Sequence, residues 1–217
     1  TVLYWAWKNL DADAIGLVHY RRYFVKRRTL RKKSAHILRG DEFEAYLRKA
    51  DVIVPRPRHY MIETSWSQYA HAHHEADLIE LRRAVQTLFP AYLQSFDHVM
   101  KQRTAHRFNM FVMRRTLLEA YCNWLFSLLF EVEKRLDLSG YSKQDARVFG
   151  YLAERLLDVW LYHNKIRYIE VPVLFTERQN WIKKGASFLS RKFSGDRSLH
   201  PKEPDRTPGP GFERKRG

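Results

Sequence analysis

The chain has 217 residues, enough for one sizeable core and too few for two comfortable ones; with 45% hydrophobic and 14% aromatic residues it is not a disordered chain. A formal net charge of +15 points to an anionic partner, whether a phosphate-bearing small molecule, nucleic acid or an acidic membrane surface. The lone Cys122 excludes a disulfide framework and reads as a core thiol in a reducing compartment, and no apolar run reaches the length that a bilayer core of about 30 Å requires.

The chain starts at Thr1 and enters directly on the amphipathic TVLYWAWKNL, with Leu3, Trp7 and Leu10 on one face, so an N-terminal piece is expected to precede it. Tyr4, Trp5 and Trp7 read as packing residues. AIGLVHY is expected to be a short strand buried on both faces, and the acid-free stretch from Arg21 to Lys33 a solvated basic arm. DEFEAYLRKA reads as a helix and DVIVP as a second buried strand stopped by Pro55 and Pro57. Residues 58–74 show no clean period but many polar aromatics, as a site-forming segment does.

EADLIELRRAVQTLF reads as an amphipathic helix restarted at Pro90, RFNMFVMR as a third strand, and the following apolar stretch as a long helix broken at Gly140. A helix then starts with Ser142 as its N-cap, and RYIEVPVLF is the fourth strand. Residues 1–183 form one domain; 184–217, rich in Pro, Gly and basic residues, read as a disordered tail. Strands separated by helices give an α/β fold with a central, mostly parallel or mixed sheet flanked by helices.

Ligands of such sheets bind beyond the carboxyl ends of the strands. Asp11 and Asp13 precede the first strand, whereas His19, Tyr20, Arg21 and Arg22 follow it, so the basic cluster faces the ligand crevice and the acidic pair is turn chemistry. Adjacent arginines supply forked donors that match a diphosphate.

The blocks YWAWKNLDADAIGLVHYRRYF, DVIVPRPRHY, IETSWSQYAHAHH, RFNMFVMRR and RVFGYLAERLLDVWL occur in this order. From Thr1 to about Glu177 they resemble the bacterial capsular and exopolysaccharide biosynthesis family whose hallmark is the HYRRYF block, glycosyltransferases related to the GT-A fold. The resemblance implies a GT-A-like domain that lacks a first N-terminal strand. It also implies that HYRR stands where ordinary GT-A enzymes hold a divalent metal with Asp-x-Asp. Arg21 and Arg22 would then neutralise the donor diphosphate, with His19 and Tyr20 adding hydrogen bonds, and no metal is required; Mn or Mg enters only if Asp11 and Asp13 or the histidines act.

His71, His73 and His74 lack the further ligand of a zinc motif, so Trp66, Tyr69, His71 and His74 are assigned to acceptor-sugar binding. Glu63, Glu154 and Asp145 are the candidate catalytic bases, each with a capping or surface alternative. Asn109, an amide inside an apolar strand, is assigned to a sugar hydroxyl or to a backbone partner, and His106 just before it is equally open. The reading is a cytoplasmic glycosyltransferase that moves a hexose from a nucleotide sugar, a UDP-sugar, to a polysaccharide or lipid-linked acceptor in capsule, exopolysaccharide or O-antigen synthesis. Its basic arm serves phosphates or the anionic inner membrane surface. A basic nucleic-acid-binding module and a catalytically incomplete scaffold fragment are the alternatives.

Overall fold

The computed structural model describes residues 2–26 and 36–176. In chain order its elements are α1 (Val2–Asn9), β1 (Ala14–Leu17), β2 (Arg22–Phe24), α2 (Gly40–Leu47), β3 (Val52–Pro55), β4 (Arg58–His59), α3 (Ser65–Ala72), α4 (Glu75–Leu88), α5 (Leu93–Lys101), β5 (Thr104–Ala105), β6 (Phe111–Arg114), α6 (Arg115–Glu133), α7 (Val148–His163), β7 (Tyr168–Val171) and β8 (Val173–Phe175). Four strands form the central sheet in the order β1-β6-β3-β7, with β6 antiparallel to both neighbours and β3 parallel to β7. This is a mixed α/β sheet flanked by helices.

Strand alternation divides the core in two. Val52, Val54, Phe111, Met113 and Ile15 pack with the helical layer, where Leu78, Leu118, Leu125, Leu152 and Trp160 are buried. Ile53, Val112 and Val171 face the other way, onto Phe24, Leu38, Leu47 and Met110. Each fully buried aliphatic or aromatic side chain stabilises the fold by about 1.5–3 kcal/mol.

The helices are tied down by charge as well as burial. Arg114 Nη2 donates to Leu47 O at the end of α2, while Arg115 donates to Trp7 O and Leu10 O at the end of α1, so two adjacent cations satisfy two helix C-termini. Arg82 grips Asp97 bidentately at 2.8 and 2.7 Å, joining α4 to α5.

Several expectations are corrected. Among the described residues β1 pairs with β6 alone and has only Ile15 buried; Gly16 is exposed there, and a Cβ on it would stand 3.1 Å from Val112 Cγ2. Leu10 lies beyond α1 and is exposed. Arg22 to Phe24 belong to no solvated arm: they pair with β8, and Phe24 is buried; residues 27–33 of the expected arm lie outside the described residues, as does the expected tail from residue 184.

Part of the segment 58–74 is regular after all, because Thr64 Oγ1 accepts from Ser67 N at 3.1 Å and caps α3. α6 ends at Glu133, ahead of Gly140, and α7 begins at Val148 after a 3-10 turn, Asp145–Arg147; Ser142 caps neither, although its Oγ accepts from Asp145 N at 3.1 Å. RYIEVPVLF divides at Pro172, which cannot donate to a ladder: β7 stays in the central sheet, and β8 leaves to pair with β2.

Candidate functional site

The carboxyl ends of β1, β3 and β7 and the amino end of β6 share one edge, as the registers Leu17↔Phe111 and Pro55↔Val171 require. The His19–Arg22 turn lies there; Asp11 and Asp13 are exposed at the opposite end, where Asp13 O accepts from Arg115 N. The turn is closed by Arg22 N donating to His19 O at 2.9 Å, and Arg21 N donates to His19 Nδ1 at 3.2 Å. Because Nδ1 accepts, the neutral ring carries its proton on Nε2.

Both arginines lie on aromatic faces: Arg21 is 4.6 Å from the Tyr20 ring centroid and Arg22 is 4.3 Å from that of Phe108, which itself meets Phe175 edge-on. The aromatic rings support the two guanidinium groups at this turn.

Below this turn, α7 clamps the loop that precedes β6. Glu154 Oε1 accepts from Phe108 N at 2.6 Å, and Asn109 Nδ2 donates to Gly150 O at 2.9 Å. These bonds hold two non-glycine residues in the left-handed region, Phe108 at φ 87° and Asn109 at φ 49°. Asn109 therefore sits in a turn outside the strand, with the backbone partner that was one of its two sequence readings. Glu154 Oε2 also accepts from Arg155 Nη1 at 3.1 Å, so this carboxylate holds the loop and its neighbour.

Arg155 further donates to Gln68 Oε1 at 2.7 Å and lies 4.7 Å from the Tyr69 ring centroid. Burial, and then the charge of Arg107, pull its pKa down to about 10. Arg107, just before Phe108, is buried and donates through Nε to the Tyr60 hydroxyl. No sequence signal distinguished it, because RFNMFVM reads as a continuous strand in which an arginine merely marks the start.

The remaining candidates divide by access. Tyr69 is wholly buried, its hydroxyl donating to Asp77 Oδ2 at 2.8 Å, so it presents no face to an acceptor and serves as a core residue. Burial and then the Asp77 charge push its pKa far up. Trp66 is half-buried and donates to Glu75 Oε1 at 2.6 Å. His74 lies over the Tyr141 ring and 3.8 Å from Asp145 Oδ2, which also accepts from Ser142; Asp145 thereby serves the turn ahead of α7. Glu63 and exposed His71 come together, Oε1 to Nδ1 at 2.6 Å, in the segment that follows β3 and β4.

A second polar centre was left open by the sequence. Buried His106 donates through Nδ1 to Asp158 Oδ1 at 2.5 Å and lies 3.4 Å from Glu170 Oε1, beside a cavity of about 450 Å³ lined also by Pro57, Gln102, Tyr162 and Tyr168. Among the described residues no three His, Cys, Asp or Glu side chains come together as a metal site.

Residues 1–165 match the family model described as a domain of unknown function, DUF4422. The chain belongs to this family. No curated protein matches the DUF4422 chain. Among solved structures, the apo structure of WbbM, a bifunctional glycosyltransferase, matches with a TM-score of 0.71 at 24% identity, over 82% of the DUF4422 chain and 36% of WbbM. The DUF4422 chain thus spans about a third of the length of that protein and shares its fold over the matched part.

Proposed function

We propose that the chain is a glycosyltransferase that moves a hexose from a UDP-sugar to a polysaccharide or lipid-linked acceptor. The reading is supported by the His19–Arg22 turn at the carboxyl edge of the sheet, by Arg22 lying 4.3 Å from the Phe108 ring of the clamped loop 107–109, and by a fold shared with a glycosyltransferase. Arg21 and Arg22 receive the diphosphate as the bond from the anomeric carbon to the leaving oxygen breaks. His19 Nε2 and the Tyr20 hydroxyl add donors. Fixed donors directed at developing charge are the largest catalytic contribution available to such a site.

Glu63, oriented by His71, accepts the proton of the attacking acceptor hydroxyl in an inverting transfer. Aligned guanidinium groups do the work of a divalent ion here, so activity is expected in EDTA. The chain is placed on the cytoplasmic side, with anionic inner-membrane lipid as a further partner; no helix among the described residues is long and apolar enough to cross a membrane.

The test is the melting temperature with UDP in EDTA and then in manganese. Ligand at 100 times its dissociation constant stabilises by about 2.7 kcal/mol, a rise of roughly 5–10 °C for a chain of this size. The rise is expected in EDTA, and Arg21→Ala with Arg22→Ala is expected to abolish it and to lower transfer by about 10²–10³-fold. A rise that needs manganese, or transfer unchanged in the double variant, would refute the assignment.

A further inference from the structure

Arg107 is 4% exposed, yet its Nη1 and Nη2 have no hydrogen-bond partner among the described residues. A buried ion left unpaired costs several kcal/mol, so a fold that keeps one has a use for it. Its surroundings increase that cost. Arg155, 3% exposed, lies close enough for its charge to oppose that of Arg107. Among the described residues the one acid paired with Arg155 is Glu154, whose two oxygens are engaged by Phe108 N and Arg155 Nη1.

Two more buried polar atoms lack partners here: Arg155 Nε, and Ser65 Oγ on the face of α3 that also carries Gln68 and Tyr69 to Arg155. The unused groups are guanidinium donors and a hydroxyl that can donate, and two arginines against one glutamate leave a positive balance. The complement of such a cluster is a compact anion with several acceptor oxygens.

We propose that Arg107, with Arg155 Nε and Ser65 Oγ, forms an internal phosphoryl-binding site beneath the loop 107–109. Tyr60 covers it: its hydroxyl takes Arg107 Nε, its ring centroid lies 5.0 Å from the guanidinium, and it is half-buried beside Met61, which is 89% exposed. Entry is by way of Tyr60, whose phenol gives up Nε to the incoming oxygen. The source of the phosphoryl group rests on the transferase reading, being either the nucleotide donor or a phosphate-linked acceptor; anion binding itself does not depend on that reading.

The experiment is thermal unfolding of the full chain and of its Arg107→Met and Arg107→Lys variants, with inorganic pyrophosphate, UDP, uridine and geranyl diphosphate. Without ligand, Arg107→Met is expected to melt at or above wild type, because an apolar side chain of similar reach replaces an unpaired ion. In an Arg21→Ala, Arg22→Ala background, which removes the other diphosphate site, saturating pyrophosphate should still raise the midpoint by about 5–10 °C, with Arg107→Lys added by less than half of that and with Arg107→Met added by less than about 1 °C. UDP acting through Arg107 assigns the site to the donor, and geranyl diphosphate acting through Arg107 while UDP acts independently of it assigns the site to the acceptor.

If pyrophosphate stabilises all three proteins of that background equally, or none of them, the site does not exist. A UDP effect lost in Arg21→Ala with Arg22→Ala, with no effect of pyrophosphate, UDP or geranyl diphosphate that depends on Arg107, sinks this proposal and leaves the transferase reading standing. An Arg107-dependent pyrophosphate effect with none from UDP or geranyl diphosphate does the reverse.

Discussion

His106 shows how a single residue can be read for pH behaviour. Burial opposes its charge, but the hydrogen bond and charge of Asp158, aided by Glu170, outweigh burial and raise its pKa above the ordinary 6.5. A raised value means that the protonated ring stabilises the fold, fully below about pH 6.5 and with loss as pH rises through the folded value. Chemical unfolding from pH 5.5 to 8.5 should therefore show declining stability across that window. Asp158→Asn should flatten the decline and cost about 1.5–3 kcal/mol at the acidic end; a wild-type profile already flat would remove His106 as its cause. Residues of this kind were half legible. Glu63 and His71 stood out as polar groups in an irregular segment, and they do meet. Arg107 did not, since its unmatched nitrogens follow from three elements distant in sequence closing around it.

Among the elements, the loop into β6 depends most on a remote partner, because α7 supplies the bonds that hold residues 108 and 109 at positive φ. Glu154→Ala should speed amide exchange at Phe108 and lower stability by about 2–3 kcal/mol, whereas Glu154→Gln, which keeps an acceptor oxygen, should restore slow exchange. Unchanged exchange in Glu154→Ala would mean that the loop is held by something else. On β1, Gly16→Val drives methyl groups into Val112 and should cost about 1–3 kcal/mol, with partial recovery in a Val112→Ala background, read by urea midpoints. Periodicity placed the helices α4, α6 and α7 and the strand β3 well, since each buries a continuous face. It failed at short elements. β2 and β8 have three residues each and exist through each other, and nothing local in RRYF or VLF states that pairing.

For the molecule as a whole, the charge of +15 announced an anion without saying where it binds. The topology narrows the place: it carries the His19–Arg22 turn to one end of the sheet and spends Arg114 and Arg115 on helix ends at the other. A nucleic-acid binder would spread its cations along a surface, and its affinity for an oligonucleotide would fall by orders of magnitude between about 50 and 200 mM salt. Here UDP binding is expected to change by less than about tenfold over the same range, measured by calorimetry, while oligonucleotide binding collapses. Equal steepness for both would favour the nucleic-acid reading. The α/β class and the mixed sheet were legible because helical and strand patterns alternate along the chain. Strand order and the antiparallel placement of β6 were not, because pairing partners are chosen by the tertiary core rather than by any one segment.

The only cysteine in the chain, Cys122, is wholly buried in α6, and its thiol is pushed up to about 12, so it stays protonated and inert to maleimides at neutral pH. The native sequence is thus already a silent background for spectroscopy. A cysteine introduced at the solvent-facing Met61 would be the one thiol open to a fluorophore or spin label, and it would report on the tip beside Tyr60 without any prior mutagenesis to clear competing sites.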